Sequence, residues 1–115
     1  MRVYGCLFVL ILCTSYSLNS YALDGNKLHS QAIEYQKWER GQHFDILFFG
    51  EYVGFIAGAS DATFKKGIYC SPSDITYVQS NAIVANYLEK HPEKWNQPAV
   101  DIVVQAMQEV YPCSK

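Results

Sequence analysis

Gly50-Glu51-Tyr52-Val53-Gly54-Phe55-Ile56-Ala57-Gly58-Ala59-Ser60-Asp61-Ala62 sets small residues at a four-residue interval within a largely apolar run. It predicts the heart of an apolar helix running from about Phe44 to Phe64. Gly50, Gly54, Gly58 and Ala62 fall four residues apart, so they trace a stripe of small residues along one side. Phe44, Phe48, Tyr52, Phe55 and Ala59 form a bulky stripe beside it. Each interior glycine costs a helix roughly 1 kcal/mol relative to alanine, and a second helix approaching to backbone distance would compensate. The stretch therefore reads as a central helix buried nearly all round, with Gly54 and Gly58 as structural packing residues. A similar stripe pairs helices in lipid. Here Asp45, Glu51 and Asp61 leave no apolar run near the required ~18 residues, so no membrane span is expected in the mature chain.

Outward from that helix, the N-terminus reads as a secretory signal. Met1 to Ala22 carries one cation, Arg2, then an apolar run from Cys6 to Cys13, then a polar stretch ending Ser20-Tyr21-Ala22. Small residues at the last and third-last positions predict cleavage after Ala22, leaving one helical domain over 23–115. That domain has eight basic and eleven acidic side chains, a formal charge of −3, with no basic patch of the kind that tracks phosphates. Nucleic acid is excluded as a partner. Cys70 and Cys113 remain, and an even pair in an exported protein is most simply a disulfide. It would close a loop of about 40 residues and stabilise a small core by about 4 kcal/mol.

Asp24-Gly25-Asn26 offers capping residues for a first helix whose inner face is Leu28, Ala32 and Tyr35, flanked by Trp38 and ended by Gly41. A short turn leads into the central helix, which favours antiparallel packing of the two. After a connection from Thr63 to Ser73, Thr76-Tyr77-Val78-Gln79 matches the capping box, threonine and glutamine each satisfying a backbone amide. It opens a third helix from about Tyr77 to Lys90, stopped by His91-Pro92, with Val78, Ala82, Val84, Ala85 and Leu88 inward. Asn81 lies within that arc and reads as bonded to a neighbouring loop. Asn96-Gln97-Pro98 opens a fourth helix that points Val100, Val103, Val104, Met107, Val110 and Tyr111 to the core and ends at Pro112. The expected architecture is an all-α, small four-helix bundle stapled by one disulfide.

The chain offers little that could carry catalysis. Cys70 and His91 could pair as thiol and base, but Cys113 and an oxidising compartment favour the disulfide. His29, His43 and His91 lie at no metal-ligand spacing, and no glycine-rich phosphate loop precedes a helix, so neither metal nor cofactor is expected. Asp61 is the acid of the apolar helix and reads as a structural tie to the next loop. A protein-binding surface remains. Trp95, set in Glu93-Lys94-Trp95-Asn96, has the chemistry of an interface anchor with Lys94 beside it; the alternative is that its ring folds back over Tyr87 or Leu88. Phe64, Lys65, Lys66 and Ile68 make a second loop with both charge and apolar reach.

In this order and spacing, Gly54 to Ala62, Tyr69-Cys70-Ser71-Pro72 leading to Thr76 and Gln79, Tyr87 to Glu93, Gln97-Pro98-Ala99 and Val110-Tyr111-Pro112-Cys113 resemble the Rap/Tai family of periplasmic immunity proteins. The resemblance covers most of Leu28 to Cys113. It implies a small, exported, helical, disulfide-bonded protein that is no enzyme, that forms homodimers, and that blocks a peptidoglycan-cleaving amidase toxin delivered by type VI secretion. It also implies the Cys70–Cys113 bond and a packing role for Gly54 and Gly58. A second cysteine pair common in the family would fall on Ala32 and Tyr52, so the first helix here is expected to be held by packing alone and to be the least stable element. Two other readings compete with immunity. A periplasmic acid-stress chaperone would open and expose apolar surface in acid, and a small secreted hydrolase would depend on Asp61 or His91.

Overall fold

The computed structural model describes residues 23–114; the signal read over 1–22, its cleavage after Ala22 and the terminal Lys115 lie outside the described residues. The described residues form four α-helices, α1 (Gly25–Glu39), α2 (Ile46–Phe64), α3 (Tyr77–Lys90) and α4 (Ala99–Val110), with a 3-10 turn over Pro92–Lys94. There is no strand among them, only an isolated bridge between Asp24 and Pro98. The all-α, four-helix reading holds, and Cys70 is bonded to Cys113 with the two Cα atoms 4.9 Å apart.

Local chemistry accounts for most of the helix boundaries. The Asp24 carboxylate accepts from the Lys27 amide at 3.0 Å and caps α1. Gly41, at φ +68°, ends it in a left-handed conformation that glycine adopts without strain. α2 starts at Ile46 and not at Phe44, because Asp45 is its cap, accepting from the amides of Leu47 and Phe48 at 2.9 and 3.0 Å. The Thr76–Gln79 capping box is present in both directions at the start of α3. Pro98 occupies the cap position of α4.

The core is built from Leu28, Ala32 and Tyr35 of α1, Tyr52, Ile56 and Ala59 of α2, Val84, Ala85 and Leu88 of α3, and Ile102, Val103, Ala106 and Met107 of α4. Three expectations change. First, Val78 is 58 % exposed, because the capping turn swings the first turn of α3 off the core. Ile102 and Ala106 point inward in place of Val100 and Val110, which are exposed. Second, α1 is tied by more than packing. The Gly25 amide donates to Gln97 O and the Ala99 amide to Leu23 O, both at 2.9 Å. Gln31 Nε2 donates to Glu51 Oε2, and the Asp45 amide donates to Glu34 Oε2 at 2.8 Å. Lys37 and that amide together hold the Glu34 carboxyl below its ordinary range. Ala32 and Tyr52, where a second cysteine pair would fall, are both core residues.

The third correction concerns the glycine stripe. A Cβ placed on Gly50, Gly54 or Gly58 would meet nothing within 4 Å beyond the helix itself. No other helix among the described residues approaches there, so Gly54 and Gly58 make no packing contact within this domain, and the close neighbour expected of them is not one of α1, α3 and α4. α2 buries only the arc of Tyr52, Ile56, Ala59, Ser60 and Thr63, and leaves Ile46 and Leu47 exposed beside the glycines. The close approach in this bundle is at Gly25, where a Cβ would strike Ile102 and stand 2.7 Å from the backbone of Trp95.

Candidate partner-binding site

The connection between α2 and α3 is where the surface residues singled out by sequence come together with a cavity. Its shape follows from four anchors. Tyr69 is buried, its hydroxyl donating to Ser60 O at 3.0 Å and lying 3.0 Å from Thr63 Oγ1. The Cys70 amide donates to Tyr111 O at 2.9 Å, and the adjoining disulfide ties the same point to the end of α4. Gln108 Nε2 donates to Ile68 O at 3.1 Å. Gly67, at φ +66°, makes the turn between Lys66 and Ile68. These anchors hold Phe64, Lys65, Lys66 and Ile68 outward, with Phe64 43 % and Ile68 39 % exposed.

Behind this loop lies a cavity of about 350 Å³. Ser60, Asp61 and Phe64 bring α2 to it, Ser71 brings the loop, and Tyr77 brings the first turn of α3. Asp61 is exposed at the rim and accepts from the Tyr77 hydroxyl at 3.0 and 3.3 Å through its two oxygens. The tie expected of Asp61 is therefore made to the first residue of α3, and the carboxylate pushes the Tyr77 phenol above its ordinary value. Thr76 and Gln79 stand beside this rim as the cap of α3. Ser60 is only 8 % exposed, and its hydroxyl, like the buried hydroxyl of Ser71, has no hydrogen-bond partner among the described residues. Sequence gave no signal for Ser60, Ser71 and Tyr77, since they come from three elements with no common period.

Trp95 and Lys94 lie elsewhere. They follow α3, whereas Asp61 and Tyr77 mark its start, and fourteen residues of helix separate the two groups by ~20 Å. The Trp95 indole is folded back. Its Nε1 donates to Leu88 O at 2.8 Å, and its ring stacks on His29 with centroids 3.8 Å apart. Leu88 O is one of the carbonyls that a helix end leaves without an internal partner, so the indole serves as a side-chain cap of α3. Of the two readings of Trp95, the ring folded back over Leu88 is the one found, in place of a free-standing interface anchor. Burial there lowers the His29 imidazole from its ordinary value, against an opposing pull from Glu89.

Asn81 also departs from expectation. Its side-chain oxygen is buried without a partner, and it is the backbone carbonyl that works, accepting from the Tyr52 hydroxyl at 2.7 Å. Burial raises the Tyr52 phenol well above its ordinary value. His91 sits between Glu93, at 2.9 Å, and Glu109, at 3.5 Å, and so fastens the 3-10 turn to α4. Its hydrogen bond holds the Glu93 carboxyl below the ordinary range. Cys70 has no free thiol, so the Cys70–His91 pairing is not assembled, and Asp61 and His91 stand at opposite ends of α3. Among the described residues no group of three acidic, histidine or cysteine side chains could hold a metal ion, and no helix is long and apolar enough to cross a membrane. The arrangement is suited to recognition: a tethered outward loop beside a cavity with one ionised rim.

Comparison with known proteins identifies the family. The family model described as Rap1a immunity proteins matches residues 24–113, the whole of the four-helix unit and both cysteines of the disulfide. Among curated proteins no relative matches the chain.

Proposed function

The chain belongs to the Rap1a immunity proteins, and from that membership we propose that it neutralises a secreted peptidoglycan amidase toxin, delivered by type VI secretion, by occluding the toxin's active-site cleft. An immunity role is the family's; the target and the manner of blocking are the proposal. The observation that carries it is the α2–α3 loop, which presents Phe64, Lys65, Lys66 and Ile68 outward from a backbone fixed by the Cys70–Cys113 bond and by Tyr69. A loop ordered in advance loses less conformational entropy on binding. Phe64 and Ile68 supply apolar contact, and the two lysines supply charge that steers encounter with an acidic cleft. The protein acts by binding alone, in the periplasm, after removal of residues 1–22, where an oxidising milieu sustains the disulfide.

The test is protection. Cells that export the cognate toxin should lyse without the chain and survive with it, and purified toxin should be retained on the immobilised chain. Equal killing with and without the chain would sink the reading. A Phe64→Asp, Ile68→Asp double variant should keep its helicity and lose at least tenfold in toxin affinity. The homodimer implied by the family is measured separately, by sedimentation of the exported chain.

A further inference from the structure

The cavity behind the α2–α3 loop carries polar groups that the described residues leave unpaired. Burying a hydroxyl without a partner costs about 1–3 kcal/mol, and two of them, on Ser60 and Ser71, line the same space. Any natural occupant should return those hydrogen bonds. Asp61 is the one ionised side chain in the lining; Lys65 and Lys66 follow Phe64 along the chain but do not line it. An anionic occupant could accept from both hydroxyls but would face the Asp61 carboxylate. An apolar one would leave both hydroxyls unpaired. A cationic alkyl group meets every requirement: several N–H donors for Asp61, Ser60 and Ser71, a positive charge over the Phe64 and Tyr77 rings, and an aliphatic stem along Ile75 and Met107. A volume of about 350 Å³ lies at the small end of ligand pockets and is ample for one long side chain.

We infer that this cavity receives the side chain of an arginine or lysine presented by the partner protein, an inference that rests on the immunity reading for the identity of that partner. The pocket then fixes the register of the complex, while the adjoining loop covers the toxin's cleft.

The experiment titrates the isotope-labelled, oxidised chain with N-acetyl-arginine methylamide, and separately with the norleucine and glutamate counterparts, following backbone amide shifts. The arginine probe should shift the amides of Ser60, Asp61 and Ser71 with a Kd on the order of millimolar, as a fragment would, and salt should weaken it. Asp61→Asn keeps an oxygen for the Tyr77 hydroxyl and should weaken the probe at least tenfold with an unchanged melting temperature. Tyr77→Phe removes the competing hydroxyl and keeps the ring, so it should bind the probe as well as or better than the parent. No shift with arginine, equal shifts with norleucine, or stronger binding of the glutamate probe would overturn the inference. Because the titration needs no toxin, it judges the pocket even if the toxin assignment fails. With toxin in hand, Asp61→Asn should weaken the complex at least tenfold; a complex of unchanged Kd would overturn the toxin side chain as occupant and leave the immunity reading standing.

Discussion

Gly54→Ala decides between two accounts of α2. If the glycine stripe were a packing seam, an added methyl would clash and the domain would lose stability. In the structure a Cβ on Gly54 meets nothing within 4 Å outside its own helix, so the change has no steric cost. What remains is the helix preference itself. Alanine is favoured over glycine in a helix interior by about 1 kcal/mol, because glycine loses more backbone freedom on folding. For a domain of this size, about 1 kcal/mol corresponds to a rise of about 4–8 °C in melting temperature. Gly50→Ala and Gly58→Ala should behave alike, and the three gains should add approximately, since the sites share no partner. Thermal melts of the exported, oxidised chain, followed by circular dichroism at low protein concentration, measure this directly. Gly25→Ala is the internal control with the opposite sign. There the Cβ strikes Ile102 and the Trp95 backbone, and overpacking should cost about 1–3 kcal/mol. A melting temperature that falls for Gly54→Ala would refute the reasoning and restore the seam.

Trp95→Phe removes the donor to Leu88 O while leaving a ring to stack on His29, and should lower stability by about 1–2 kcal/mol in denaturant titrations. A free-standing anchor would show no such loss. Acidification tests His29. Its folded-state imidazole lies below the ordinary value of 6.5, so the unfolded chain takes up the proton first. That contribution is fully present above pH 6.5 and is lost as the pH falls towards the folded value, so His29→Gln should flatten this part of the stability profile. Reduction of Cys70–Cys113, which are 43 residues apart, should cost about 4 kcal/mol in the chain-entropy account, read as a lower denaturant midpoint in the presence of a thiol.

The parts of this protein that sequence determined by itself are those with short-range causes. Thr76 and Gln79 marked the start of α3 because a capping box is a contract between residues three apart. Cys70 and Cys113 predicted their own bond because they are the two cysteines outside the segment read as a signal. Leu28, Ala32 and Tyr35 were legible as the inner face of α1 from helical period alone. The order of motifs from Gly54 to Cys113 pointed to the immunity family to which the chain belongs.

Tertiary structure decided what depends on which surfaces meet. Glycines four apart look the same in sequence whether a neighbour covers them or solvent does; only the placement of α1, α3 and α4 on the opposite arc of α2 leaves Gly50, Gly54 and Gly58 open. Trp95 could have pointed out or in, and the outcome depended on a carbonyl seven residues back and a histidine on another helix. The cavity was invisible in sequence for the same reason. Ser60, Ser71 and Tyr77 become neighbours only when Tyr69 plugs into α2 and the disulfide draws the loop against α4, so the glycine-rich helix proves to be the wall of the candidate site as well as one side of the core.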